Sequence, residues 1–237
     1  MYFRPYIKKS LEWLKKQKID NVKDLSRLTV ACDLWGIENH YAAKLIHKKH
    51  NSSWNNSIRD TSRACSALAN IGIIFPDAKE WLLNQKTDDS WNKDVYDTAY
   101  ALIALSDMDV SENIGCDWLI ENYDTNWEHV GTTSLVITAL VKQEKLLSSN
   151  HYQNFIQNRA EWILSQSDKG GGWSYISTSN LAIQALMLAG YRNQLKPHIQ
   201  WLLDNFNENG YWGYNNKKVI ATAWSLMTLA LYNSHEF

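Results

Sequence analysis

EWLLNQKTDDSWNKDVYDTAYALIALS, running from Glu80 to Ser106, contains the unit from which the chain is built. Apolar residues recur at helical spacing around Trp81, a short polar segment ends at Trp91, and a second helical pattern rich in small residues follows from Asp97. The unit reads helix, short loop closed by a tryptophan, helix.

The same unit recurs on both sides of this stretch, the mark of a repeat architecture. Trp54, Trp91, Trp127, Trp173 and Trp212 close the segments HNSSW, TDDSW, YDTNW, KGGGW and NENGYW, at intervals of 37, 36, 46 and 39 residues. A second set, Trp81, Trp118, Trp162 and Trp201, precedes four of them by 9 to 11 residues, in EWLL, DWLI, EWIL and QWLL. After each loop come the small-residue patterns that begin at Asp60, Asp97, Thr132, Ser177 and Ala221. The endings at Gly72 and Gly190 suit helix C-caps.

With the more divergent pair Tyr6 to Lys16 and Val22 to Leu34, six hairpins are expected, at 2–36, 38–73, 76–107, 112–146, 152–190 and 195–233. The expected fold is all-α, a single domain over residues 1–237 in which six hairpins close into an α/α toroid. Second helices at 60–71, 97–106, 132–141, 178–189 and 220–231 form the inner ring. Alanines such as Ala64, Ala67, Ala99, Ala101 and Ala104 would let those helices approach closely, with bulkier first helices outside. Trp81, Trp118, Trp162 and Trp201 are expected buried in equivalent places between the two rings. An open solenoid of the same hairpins is the competing architecture.

A formal net charge of -1 with 45% hydrophobic residues argues against a polyanion partner, so no nucleic acid is expected. No apolar run approaches the ~20 residues of a transmembrane helix, and the N-terminus lacks the apolar core of a signal peptide, so the expected location is cytoplasmic. Cys32, Cys65 and Cys116 are far apart and outside any CxxC pattern, which fits reduced core thiols.

EWLLNQKTDDSW and EWILSQSDKGGGW (Glu161 to Trp173) resemble the QW repeats of squalene-hopene and oxidosqualene cyclases, in which a Gln precedes a Gly-x-Trp. Here Gln85 pairs with Trp91 and Gln166 with Trp173, while Asp89 replaces the glycine in the first copy. The likeness covers residues 38–233 and points to the terpenoid cyclase and protein prenyltransferase superfamily of α/α toroids. Asp94-Val95-Tyr96-Asp97-Thr98-Ala99 is similar to the Asp-x-Asp-Asp-Thr-Ala of class II terpene cyclases, whose middle aspartic acid protonates an alkene or epoxide. Tyr96 stands at that middle position, and a phenol of pKa near ~10 is a poor acid for an alkene. The resemblance therefore implies Asp94 or Asp97 as the acid, with Asp60 at the equivalent place of the second hairpin. An N-cap role for Asp97 and Asp60 is the alternative.

The same stretch is similar to the zinc-binding motif of prenyltransferase β subunits, but Asp97 stands in place of the histidine and Ser62 in place of the cysteine, so no metal is expected. For a hydrophobic isoprenoid-like substrate the resemblance implies an aromatic-lined cavity. Candidate lining residues are Tyr96, Tyr100, Tyr175, Tyr214 and Trp224, with Trp91 beside them although a stapling role suits it. Arg59, Arg63 and Lys93 form a basic group that would receive a diphosphate. The functional expectation is a cofactor-free, protonation-initiated cyclase, with a protein partner closing one end of the ring. A non-catalytic toroid that binds a hydrophobic ligand, peptide or protein is the alternative. A glycan-cleaving enzyme would need opposed carboxylates, and Asp88 and Asp89 are adjacent on one loop. Dialysis against a chelator is expected to leave the unfolding midpoint unchanged, whereas tightly held stoichiometric zinc would restore the prenyltransferase reading.

Overall fold

The structure, a computed structural model, describes residues 3–124 and 127–234. Thr125 and Asn126 of the fourth tryptophan loop lie outside the described residues. The described residues form α1 (Arg4–Leu14), α2 (Val22–Leu34), α3 (His40–His47), α4 (Ile58–Ala69), α5 (Pro76–Asn84), α6 (Val95–Asp107), α7 (Asn113–Glu121), α8 (Val130–Leu147), α9 (Gln153–Ser165), α10 (Ile176–Leu188), α11 (Lys196–Asp204) and α12 (Lys218–Asn233). Two short strands, β1 (Lys86–Thr87) and β2 (Ser90–Trp91), pair antiparallel across the third loop.

The even-numbered helices make a cycle of contacts: α2 on α4, α4 on α6, α6 on α8, α8 on α10, α10 on α12, and α12 back on α2. The chain closes this cycle itself. The odd-numbered helices lie outside it, each against the even helix that precedes it, and α1 rests on α12. Side-chain bonds fix the direction of the even helices. Arg59 meets Asp97 near the starts of α4 and α6, and Ser66 meets Asp107 near their ends, so the two run parallel. Tyr96–Thr132 and Lys142–Asp107 place α8 parallel to α6 in the same way, and Asn180–Ser225 with Gln184–Thr228 does so for α10 and α12.

Small residues make this close approach possible, since Ala99, Ala101 and Ala104 have no accessible surface. Several hydroxyls in these helices turn back on the carbonyl four residues earlier, as Ser26 does to Val22 and Ser106 to Leu102, which satisfies those buried groups. The C-terminal Gly72 and Gly190 have φ of +79° and +89°, and Ile73 N–H reaches back to the Leu68 carbonyl, as the capping expectation required. The second helices begin two residues earlier than expected because their caps lie upstream. Ser57 and Asp94 accept from the amides of Asp60 and Asp97, so Asp60 and Asp97 lie within the first turn and are not N-caps.

The loop tryptophans join the layers. Indole N–H groups of Trp54, Trp91, Trp173 and Trp212 donate to the carbonyls of Leu45, Leu82, Ile163 and Leu202 in the outer helices. Their backbone N–H groups donate to the hydroxyls of Thr61, Thr98, Ser179 and Thr222 in the next even helix. The rings also touch the start of the following outer helix, Trp54 against Phe75 at 6.0 Å and Trp173 stacked on His198 at 4.5 Å. A Cβ on Gly115 at the start of α7 would lie 3.1 Å from the Trp91 ring.

One packing expectation is corrected. Of the outer-helix set, only Trp118 is buried; Trp81, Trp162 and Trp201 are half-buried. They serve as outer platforms for loops, since a Cβ on Gly172 would fall 2.2 Å from the Trp201 ring. Trp13 belongs to this set too: the Gly210 loop of the last hairpin rests on it, and Trp13 packs against Tyr211 at 5.1 Å. Trp91→Ala is expected to cost about 3–5 kcal/mol in urea unfolding, as full burial requires, and Trp81→Ala clearly less. Equal losses would contradict this division of labour.

Candidate functional site

The stretch with the strongest chemical signature lies at the N-terminal rim of the even helices. Asp94 caps α6: its Oδ1 accepts from the Asp97 amide at 2.9 Å and from Arg59 Nη2 at 2.8 Å. Asp97 accepts from Arg59 Nε at 2.5 Å and from Asn92 Nδ2 at 2.9 Å. Burial would lower the Arg59 pKa, but its bonds to Asp97 and Asp94 and their charges hold it above the ordinary value. The second hairpin repeats the pattern, with Asn55 Nδ2 donating to Asp60 at 2.9 Å and Arg63 Nη1 at 3.1 Å. A bond found in two repeats at the same spacing is a structural motif of the repeat. Tyr96 is 39% exposed, its hydroxyl paired with Thr132 at 2.7 Å and its ring 5.2 Å from the Arg59 guanidinium.

The even helices line a cavity of about 250 Å³, partly open to solvent, to which all six contribute. Its lining falls into three tiers at the three- or four-residue spacing of one helix face. Arg27, Arg63, Tyr100, Leu135, Leu181 and Trp224 form the tier nearest the helix N-termini. Val30, Ser66, Ile103, Thr138, Gln184 and Met227 form the next. Leu34, Asn70, Asp107, Lys142, Leu188 and Leu231 form the last. Asp107 there is engaged by Lys142 and by the Ser66 hydroxyl at 2.6 Å.

The first tier is cationic and aromatic. The Arg27 guanidinium lies 4.4 Å from the Trp224 ring centroid and that of Arg63 4.3 Å from Tyr100. Burial pulls the Arg27 pKa down to about 10. Burial alone would raise the Tyr100 phenol, but the charges of Arg27 and Arg63, a bond from Arg63 and the charge of Lys23 bring it below its ordinary value.

The structure divides the expected site residues between places. Tyr100, Trp224 and Arg63 line the cavity. Asp94, Asp97, Asp60, Arg59 and Tyr96 belong to the rim and are not among its lining residues. Lys93 is exposed in the preceding loop, in a left-handed conformation with φ 51°, so the expected basic triad is not one group. Tyr175 and Tyr214 are 71% and 74% exposed and line a separate surface cleft with Lys217 and Trp201. Trp91 cannot touch a cavity ligand, because its ring is fully buried in the layer between even and odd helices. Sequence reasoning missed Arg27. Its signal was a lone arginine inside the apolar pattern of VKDLSRLTVACDL.

Compared with known proteins, the chain matches no family model and no curated protein. The rim geometry has a direct consequence for stability. Asp94→Ala, which removes a cap, is expected to lower unfolding free energy by about 1–2 kcal/mol, and Lys93→Ala to change it by less than ~0.5 kcal/mol. Indistinguishable effects in chemical denaturation would overturn the assignment of Asp94 as a cap.

Proposed function

We propose that the chain is an α/α toroid of the terpenoid cyclase type whose central cavity holds a small hydrophobic, isoprenoid-like ligand without covalent chemistry. The observation that carries this reading is the cavity itself, to which all six even helices contribute and whose apolar lining includes Leu135, Leu181, Leu188, Trp224, Met227 and Leu231. Half-buried side chains along otherwise buried helices are what a ligand would cover. The cycle of helix contacts, α12 back on α2 included, supports the toroid.

A cyclase on this frame needs a carboxylic acid that presents its proton to the ligand. Asp94 and Asp97 are committed to Arg59 and to the first turn of α6. Asp107, the carboxyl lining the cavity, is engaged by Lys142 and Ser66. Binding is therefore the better-supported half of the family expectation, and protonation-initiated cyclisation stands second.

Geraniol titrated into the protein by calorimetry is expected to bind at one site per chain and to raise the unfolding temperature, as a ligand selective for the folded state must. Leu181→Trp, which fills the cavity, is expected to abolish the heat of binding while retaining the helical circular dichroism. Absence of binding to the wild type would remove this reading, and consumption of geranyl diphosphate or squalene would restore the cyclase.

A further inference from the structure

The first tier of the cavity carries more positive charge than the protein neutralises. Arg27 is 7% exposed, and a buried charge is costly unless it is paired. Its Nη1 donates to the Lys23 carbonyl at 2.9 Å, the guanidinium lies over Trp224 and beside the Tyr100 phenol, and no carboxylate among the described residues forms an ion pair with it, Asp24 acting only through its charge from farther off. Arg63 has one acidic partner, Asp60 at 3.1 Å. Nε of Arg27, Nε of Arg63 and Oγ of Ser62 are buried with no hydrogen-bond partner, and all three residues line the cavity. Arg27, Arg63 and Lys23 set against Asp60 and Asp24 leave about one uncompensated positive charge beside an apolar wall.

We infer that this tier receives the head group of a small amphiphilic monoanion, an alkyl carboxylate, with Arg27 and Arg63 as the residues that bind it. The inference rests on the reading of the cavity as a site for a small apolar molecule. A guanidinium offers two parallel donors that match a carboxylate. Stacking on Trp224 and Tyr100 holds both planes in place before the ligand arrives. Ser62 adds a neutral hydroxyl, and Leu135 and Leu181 in the same tier lead to the apolar wall that would take the alkyl tail. The Lys23 pKa is lowered by burial and by the charges of Arg27 and Arg63, as expected where cations outnumber anions.

Calorimetric titration with sodium octanoate, octan-1-ol and octyl phosphate tests this. Octanoate is expected to bind at one site per chain, at least tenfold more tightly than octanol and more tightly than octyl phosphate. Arg27→Gln should weaken octanoate at least tenfold and leave octanol unchanged. If circular dichroism shows that Arg27→Gln does not fold, Arg63→Gln is read in the same way. Equal affinity for octanoate and octanol, or octanoate binding indifferent to both substitutions, would overturn the head-group assignment while leaving the apolar cavity standing. Tighter binding of octyl phosphate would overturn the monoanion. Failure of all three ligands together with geraniol would remove the cavity reading itself.

Discussion

The architecture depends on one bonding pattern, repeated in four of the six hairpins, that ties a loop tryptophan to both helix layers. The indole N–H is bound to the outer helix and the backbone N–H to a hydroxyl in the next even helix. Each such bond contributes about 1 kcal/mol net, and an unpaired indole N–H in that layer would cost more than the bond returns. The pattern fixes where each loop can end and how far each even helix can slide. A threonine or serine in the first turns of those helices is the partner the tryptophan requires. Ring faces then abut the next hairpin, as Trp173 does on His198, which carries the geometry of one repeat into the next.

Closure follows from the same economy of contacts. The last loop rests on Trp13 of the first hairpin, and Trp35 Nε1 donates to the Leu226 carbonyl at 2.9 Å across the junction of α2 and α12. Small side chains on the even helices allow close packing laterally, but six helices in a cycle cannot all meet at one axis. The space that remains is the cavity, and its chemistry is set by which residue each helix turns inward. Four helices turn apolar, aromatic or mixed faces to it, while α2 and α4 together bring Arg27 and Arg63.

The rim carboxylates have structural work in the repeat. Asp94 and Asp97 have the spacing of a capping residue and a first-turn acid, which favours the N-terminus of a helix. Arg59, from the neighbouring repeat, bridges both carboxylates and so joins α4 to α6. The Asn–Asp bond recurs at Asn92–Asp97 and Asn55–Asp60, which gives the acid the same structural partner in both repeats.

Much of the fold was legible in the residues alone. The tryptophan spacing, the small-residue second helices and the capping glycines determine the number of hairpins, their loops and which helix of each pair is lined by small residues, because these are local properties of periodicity and backbone conformation. The sequence also marked Tyr100 and Trp224 as lining residues. Tertiary structure decided the rest. Arg59 and Arg63 lie four residues apart on one helix, yet the first is taken by the carboxylates of α6 and the second turns toward the axis beside Arg27, which lies 36 residues earlier in the chain. Whether a charged side chain caps, pairs or faces a cavity depends on which other helices surround it, and that neighbourhood exists only once the first and last helices have met.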